Sequence, residues 1–319
     1  MKVLITGVAG FIGFSLAESL LNKKYIIFGI DNFDDYYSIK LKKKRLSILK
    51  KNKNFKFSNV DFTDQNKIDN FFKKKKFDCV FHLGAQAGVR YSLINPYKYF
   101  NTNIIGFSNI IQNCIKNKTK KIFYASSSSV YGDLKSYPLK ENLKLYPKNI
   151  YSKSKQINEQ IASDVSKTFN LNLIGLRFFT VYGPWGRPDM FLMKFLNAIY
   201  KKKQFSLFNK GNHTRDFTYI DDIVIIMNSL LKKKLIGHHI FNVCSNKPIH
   251  LSKIIYYIKK HSKRLPKIVT KKFQKADVLK THGDNRKIKN VTNFKNFTSV
   301  EEGIKKTINW YTKGKIWKY

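Results

Sequence analysis

The chain has 319 residues, enough to bury one large α/β core with a smaller second lobe. Its 61 Lys and Arg against 20 Asp and Glu give a formal charge of +41, a balance that ordinarily points to nucleic acid or another anionic surface. The lysines, however, are scattered in short runs at 42–44, 73–76, 201–203 and 232–234, with no basic tail and no nucleic-acid module, which argues against a specific nucleic-acid partner. We read the excess as drift in an AT-rich genome, whose codons favour Lys, Asn and Ile. The charge can still attract an anionic ligand, an effect that salt weakens. No apolar run is long enough to insert in a bilayer and no secretory signal precedes the first strand. Cys79, Cys114 and Cys244 show neither disulfide nor metal spacing, and Cys79 sits in an apolar strand pattern. The expectation is a reduced, cytoplasmic protein without a metal.

The first element is a strand over 2–6, where Val3, Leu4 and Ile5 run without alternation, as in a parallel sheet covered on both faces. Glycines follow at 7, 10 and 13, and a helix then carries Phe14, Ala17, Leu20 and Leu21 at helical spacing. Strand, glycines and helix in that order form a pyrophosphate cradle. Gly7 makes the turn, Gly10 admits the phosphates, and Gly13 lets helix and strand pack. The N–H groups of the first helical turn, where Phe11 and Ile12 stand, face the anion. The next apolar run, 25–30, ends at Asp31 and Asn32. A carboxylate there accepts from both adenosine ribose hydroxyls and repels a 2′-phosphate, which selects NAD over NADP. An ordinary strand-end acid is the bland alternative, and the glycines upstream weigh against it.

A buried strand over 121–125 leads into Ser126, Ser127 and Ser128, at the end of the sheet where ligands bind. Tyr151 then opens a helix over 151–168, with Ile157, Ile161 and Val165 on one side. Tyr-x-x-x-Lys occurs five times in this lysine-rich chain, so the spacing alone means little. Tyr151 and Lys155 stand out because they follow the serine run and share one helix face. A tyrosine titrates near about 10, and bringing it to neutrality takes roughly 4 kcal/mol of charge interaction, which an adjacent ammonium and a cationic nicotinamide can supply. Ser127 would orient a reacting hydroxyl. Strands and helices alternate to about residue 176 and become less regular afterwards. The expected fold is a Rossmann-type, doubly wound parallel α/β sheet over 1–176. A smaller substrate lobe lies mainly in 177–319, and the segment 215–231 returns to the first lobe.

At these residues the chain resembles the extended short-chain dehydrogenase/reductases, and more narrowly the NAD-dependent nucleotide-sugar 4-epimerases that act on UDP-glucuronate. The resemblance rests on Gly10-Phe-Ile-Gly13, Asp31-Asn-Phe-Asp-Asp-Tyr-Tyr37, His82-Leu-Gly-Ala-Gln-Ala-Gly-Val-Arg90, Ser126-Ser-Ser-Ser-Val-Tyr-Gly132, Arg177-Phe-Phe-Thr-Val-Tyr-Gly-Pro-Trp-Gly-Arg-Pro-Asp189 and Arg215-Asp-Phe-Thr-Tyr-Ile-Asp-Asp222. It implies that Asp61 and Phe62 flank the adenine, that Leu83, Gly84, Ala85 and Gln86 line the dinucleotide, and that Thr102 lies near it. It also implies that Ser127, Tyr151 and Lys155 form the catalytic set. Arg90 and Ser128 join the substrate site, Thr180 and Arg187 face the sugar and its carboxylate, and Arg215 and Asp277 hold the UDP part. Arg187 suits a carboxylate because its planar fork binds two oxygens at once.

The implied chemistry is abstraction of the sugar 4-hydroxyl proton by Tyr151, oxidation to a 4-keto sugar, a turn of the sugar about its link to the diphosphate, and reversal on the other face. NAD is then a resident cofactor, and the resemblance adds a homodimer formed through the helix of Tyr151 and a role in polysaccharide synthesis. Related dehydratases and decarboxylases place a carboxylate just before Val-Tyr-Gly, where this chain has Ser129, which favours simple epimerisation. Gly84 stands where many relatives carry alanine, and Cys244 and Ala276 where many carry glycine. Competing readings are a neutral UDP-hexose or UDP-N-acetylhexosamine as substrate, decarboxylation of the uronate, and a basic nucleic-acid-binding protein with a vestigial dinucleotide fold.

Overall fold

The computed structural model describes residues 1–318 except Lys74, Lys275 and Ala276, so the Ala276 difference lies outside the described residues. Six strands come first: β1 (Lys2–Thr6), β2 (Ile26–Asp31), β3 (Phe55–Asn59), β4 (Cys79–His82), β5 (Lys121–Ser127) and β6 (Asn172–Phe178). Helices α1 (Phe11–Asn22), α2 (Ile39–Leu49), α3 (Gln65–Phe72), α4 (Pro96–Tyr99), α5 (Gly106–Lys116) and α6 (Ile150–Phe169) alternate with them. Then come β7 (Thr180–Tyr182), α7 (Phe191–Tyr200), β8 (Phe205–Phe208), β9 (Thr214–Tyr219), α8 (Ile220–Lys232), β10 (His238–Val243), β11 (Pro248–His250), α9 (Leu251–Ser262), β12 (Ile268–Lys271), α10 (Arg286–Thr292) and α11 (Val300–Lys313).

The central sheet is fully parallel, in the order β10-β6-β5-β4-β1-β2-β3. Its inner strands carry apolar side chains on both faces: Val3, Leu4, Ile5, Val80, Phe81, Ile122 and Phe123 are all fully buried, and Cys79 is among them. This is the Rossmann-type arrangement, and the order reverses between β1 and β4, so a crevice opens there at the carboxyl ends of the strands.

The sheet is wider than the sequence pattern indicates. β6 runs to Phe178, and β10 returns to pair with it in parallel, His238 opposite Leu173 and Val243 opposite Phe178. β10 opens with two histidines and is only half-buried at its first three residues, an edge strand without the continuous apolar run of the inner ones. Segment 214–219 forms β9, the middle strand of a three-stranded sheet with β7 and β11. The following α8 lies against α1, where Asn228 Nδ2 donates to Ser19 Oγ at 3.0 Å. β8 and β12 make a separate parallel pair.

His82 closes β4 with Nδ1 at 2.9 Å from Thr6 Oγ1, boxed in by the rings of Phe62 and Phe107. Burial, with a smaller contribution from the Lys155 charge, pushes its pKa down to about 3. Because the folded value lies below the usual 6.5 or so, the folded state binds fewer protons than the unfolded chain. The stability His82 contributes is therefore complete above pH ~6.5 and is lost as pH falls towards 3, at about 1.4 kcal/mol per pH unit. Unfolding free energies from urea titrations at pH 7 and pH 5 should separate by about 2 kcal/mol less in His82→Gln than in wild type. Equal separations would mean that His82 carries no such charge cost.

Candidate active site

A cavity of about 940 Å³ opens at the carboxyl ends of β1, β4 and β5 and runs across to β7 and β8. Every residue singled out for cofactor, catalysis or substrate lines it, with the exception of Asp61.

At the cofactor end, Gly7 turns the chain at φ +66°, a backbone angle L side chains rarely adopt. A Cβ there would lie 2.6 Å from Gly84 Cα, and one at Gly13 would lie 2.3 Å from the Gly7 carbonyl oxygen. The β1 turn, the start of α1 and the loop after β4 thus pack backbone against backbone. Gly10 caps α1 without a side-chain hydrogen bond, leaving the first-turn N–H groups near Phe11 and Ile12 to other partners. Asp31 accepts from Ala9 N at 3.0 Å and Phe33 N at 2.9 Å, which ties the glycine loop to the loop after β2. Burial raises its pKa, against the pull of those N–H groups and of Lys42 and Arg45. A carboxylate offers about four lone-pair sites, so acceptor capacity remains for a ligand.

Asp61 stands outside the cavity lining and bonds to its neighbours. Its Oδ2 accepts from Asn32 Nδ2 at 2.9 Å, and its Oδ1 accepts from Thr63 N and Oγ1. It orders the loop that presents Asn32 and Phe62. Gln86 is clamped by Asn103, which accepts from its N–H at 2.8 Å and donates to its carbonyl at 3.1 Å and to Ser154 Oγ at 3.0 Å. Asn103 and Thr102 lie in a six-residue π-helical stretch, Phe100–Ile105, of the sort that often marks functional positions.

Ser127 ends β5, and α6 brings Tyr151 and Lys155 beside it on the same wall. The helix start is held by a capping box: Ser152 N donates to Asn149 Oδ1 at 2.9 Å and Asn149 N to Ser152 Oγ at 3.1 Å. The Tyr151 ring meets Tyr99 edge-on at 6.1 Å. Lys155 is buried, and burial pushes its pKa down to about 8, so its ammonium is still largely charged at neutral pH. One turn further along the same face, Glu159 pairs with Arg177 of β6 through Nε at 2.8 Å and a terminal nitrogen at 2.7 Å. Glu159 also accepts from Ser126 Oγ at 2.5 Å. This buried knot fixes the Tyr-Lys helix to the two strands beneath it. Phenol, ammonium and hydroxyl thus line one cavity.

At the far end Thr180 begins β7, and Arg187 grips Asp189 with both edges of its fork: Nε to Oδ1 at 2.9 Å and a terminal nitrogen to Oδ2 at 2.5 Å. Tyr36 Oη donates to Asp189 Oδ2 at 3.2 Å. Arg90 pairs similarly with Asp277, at 3.2 and 2.6 Å, while its guanidinium lies 4.2 Å from the centroid of Phe208. Arg215 spends one nitrogen on the carbonyls of Thr214 and Leu279, and burial lowers its pKa to about 10. Tyr36, Asp189, Phe208 and Asn149 reach the cavity without having been singled out. Tyr36 and Asp189 stand inside motifs already marked, so the signal was adjacent.

The GDP-mannose 4,6-dehydratase family model matches residues 4–307. The chain belongs to this family. The chain is 41% identical to an uncharacterized protein of Methanocaldococcus jannaschii over 99% of this chain and 98% of the other. It is 39% identical to the UDP-glucuronate 4-epimerase of Thermodesulfobacterium geofontis over 96% and 95% of the two chains. The UDP-glucuronic acid 4-epimerase of Bacillus cereus, solved with UDP-glucuronic acid and NAD, superposes with a TM-score of 0.92 at 30% identity, covering 98% of this chain and 99% of that one.

Two departures of this member have packing reasons. A Cβ at Gly84 would lie 2.6 Å from the Phe62 ring, so the missing methyl makes room for Phe62. Cys244 is fully buried, with its Sγ 2.6 Å from where a Cβ on Gly283 would stand, so it fills space that Gly283 leaves. Ser129 donates from both its N–H (3.2 Å) and its hydroxyl (3.0 Å) to Ser127 Oγ.

Proposed function

We propose that the protein is an NAD-dependent UDP-sugar 4-epimerase that interconverts UDP-glucuronate and UDP-galacturonate. The observation that carries this reading is one cavity whose wall holds the glycine cradle, the Ser127–Tyr151–Lys155 set and the Thr180–Arg187 end together. The likeness to the epimerases of T. geofontis and B. cereus supports it.

The residues fit NAD. The cradle is closed to any side chain at Gly7 and Gly13, the first turn of α1 lacks a side-chain cap, and Asp31 keeps acceptor capacity. Gly7, Gly10, Phe11, Ile12 and Gly13 would hold its pyrophosphate, Asp31 and Asn32 its adenosine ribose, Asp61 and Phe62 its adenine, and Leu83 to Gln86 with Thr102 the remainder. Bound there, NAD supplies the two-electron acceptor and donor for sugar C4. Gly13→Val should purify without NAD and bind it at least about a hundredfold more weakly, since the new side chain must displace the Gly7 carbonyl. Release of NAD from denatured protein, read by chromatography, checks this; a wild-type content would detach the glycines from cofactor binding.

Tyr151 takes the 4-hydroxyl proton, with the Lys155 ammonium one helical turn along α6. Ser127 orients that hydroxyl. Arg187 and Thr180 hold the uronate end, and Arg215, Arg90 and Asp277 the nucleotide. After the sugar presents its other face, Tyr151 returns the proton. Ser129, without an acid function, offers no help to elimination or decarboxylation.

The same reading divides the chain into a cofactor lobe over about 1–176 and a substrate lobe drawn mainly from 177–319. A cytoplasmic setting agrees with three buried free cysteines, and among the described residues no helix is long and apolar enough to cross a membrane. The homodimer of this reading draws support from exposed Leu93, Ile94, Tyr97, Phe100 and Ile105, which lie on segments packed beside α6.

The test is incubation with UDP-glucuronate, with and without added NAD, followed by proton NMR. UDP-galacturonate is expected, without added NAD as well as with it. A UDP-pentose would overturn the argument from Ser129, and an unchanged substrate would overturn the reading.

A further inference from the structure

Arg187 is the cation set aside for the sugar carboxylate, yet it is already taken. Both oxygens of Asp189 engage it along the Nε edge of its fork, at 2.9 and 2.5 Å. Arg187 and Asp189 line the same cavity as Tyr151, and each is about a fifth exposed, at 23% and 21%. Asp189 is itself held in place. Tyr36, from the loop after β2, donates to its Oδ2 at 3.2 Å. The Tyr36 ring packs at 5.0 Å from that of Tyr91, and its hydroxyl occupies the space above Gly88, 2.2 Å from where a Cβ would stand. Burial would raise the Asp189 pKa, but the Arg187 charge and fork and the Tyr36 hydrogen bond bring it below the ordinary value, so it is a carboxylate at neutral pH.

An arginine devoted only to the substrate would not need a fixed, ionised carboxylate on the edge best suited to bidentate binding. Epimerisation explains the arrangement. Substrate and product carry the same carboxylate, so a tight grip on it stabilises both alike and does nothing for the chemical step. Between the two half-reactions the ring must expose its opposite face, and the carboxylate on C5 moves with it. An arginine that must let go of one carboxylate loses least if another waits beside it. Building on the uronate reading, we propose that Asp189 is the exchange partner of Arg187, taking the guanidinium when the sugar carboxylate leaves it and so allowing the sugar to turn. Asp189 is thus a positioning residue that sets the strength of the uronate grip, with Tyr36 fixing its place.

The consequence is opposite in sign to that of a simple support. Removing the charge of Asp189 removes a competitor, so the grip on the uronate tightens and the turn slows. The test uses NAD-loaded enzyme with Asp189→Asn, which keeps the shape and an acceptor for Tyr36, and with Asp189→Ser, which adds no bulk. Calorimetry gives Kd for UDP-glucuronate and for UDP-glucose, and NMR gives kcat and KM. The expected result for the uronate is a Kd about tenfold lower and a kcat about tenfold lower, with UDP-glucose binding within about twofold of wild type. Weaker uronate binding in both variants would make Asp189 a mere support for Arg187 and overturn the inference, as would equal changes for both sugars. Wild-type enzyme that epimerises the uronate while the variants match it in Kd and kcat overturns the inference alone. Wild-type enzyme that leaves UDP-glucuronate unchanged overturns the functional reading and takes this inference with it.

Discussion

Tyr151→Phe is expected to keep its cofactor and its nucleotide sugar and to turn over about a thousandfold more slowly, the scale of a lost general acid–base. The substitution deletes one oxygen. The ring keeps its edge contact with Tyr99, and the Asn149–Ser152 capping box that starts α6 is untouched. Lys155 is buried and has no second phenol in its turn of the helix, so its charge has no other proton carrier to activate. Binding measured by calorimetry should stay within a few-fold of wild type while kcat collapses. A variant that loses binding and turnover in proportion would place Tyr151 among the binding residues, and near-normal turnover would assign the proton transfer to another group.

Arg177→Met should cost about 3–5 kcal/mol, because it leaves the Glu159 carboxylate buried without its cation. The pair is bidentate at 2.8 and 2.7 Å, and both side chains are almost fully enclosed. Arg177 also donates to Tyr131 Oη at 2.8 Å, whose own hydroxyl donates to Asn242 Oδ1 at 2.7 Å, so β5, β6, β10 and α6 meet at this point. The double variant Arg177→Met/Glu159→Leu removes both charges, leaves no orphaned ion, and should recover more than half of the loss. Urea unfolding of the three proteins decides it. If the double variant is as unstable as the single one, the hydrogen bonds of the knot outweigh its buried charge. Because Glu159 lies on the face of α6 that carries Tyr151 and Lys155, the single variant should also lower kcat more than it raises KM.

The parts legible in the sequence are those whose physics is local. The strand–glycine–helix order of residues 2–22 is readable because a turn, a close approach and a helix terminus all lie within a few residues. Tyr151 and Lys155 share a face because an α-helix brings positions four apart together, and the uninterrupted apolar runs of β1, β4 and β5 announce a sheet covered on both sides. Of the five Tyr-x-x-x-Lys matches in so basic a chain, two, Tyr131/Lys135 and Tyr151/Lys155, follow the strand ending in serines, and of these Tyr151 and Lys155 share one α-helix.

What only the tertiary structure decided are the contacts between residues far apart in the chain. β10, opening with two histidines, has no local pattern that assigns it to the sheet until β6 offers it an edge. Asp61 bonds Asn32, 29 positions away, and Thr63, a tie between two loops that no local pattern announces. Arg90 and Arg187, both expected in the substrate site, are each paired with a carboxylate, Asp277 and Asp189, and Tyr36 reaches Asp189 across 153 positions of sequence. Composition and spacing tell where charges can be; which charge neutralises which depends on distances of a few ångströms set by the packing of separate elements, and that is the scale on which electrostatic energies change most steeply.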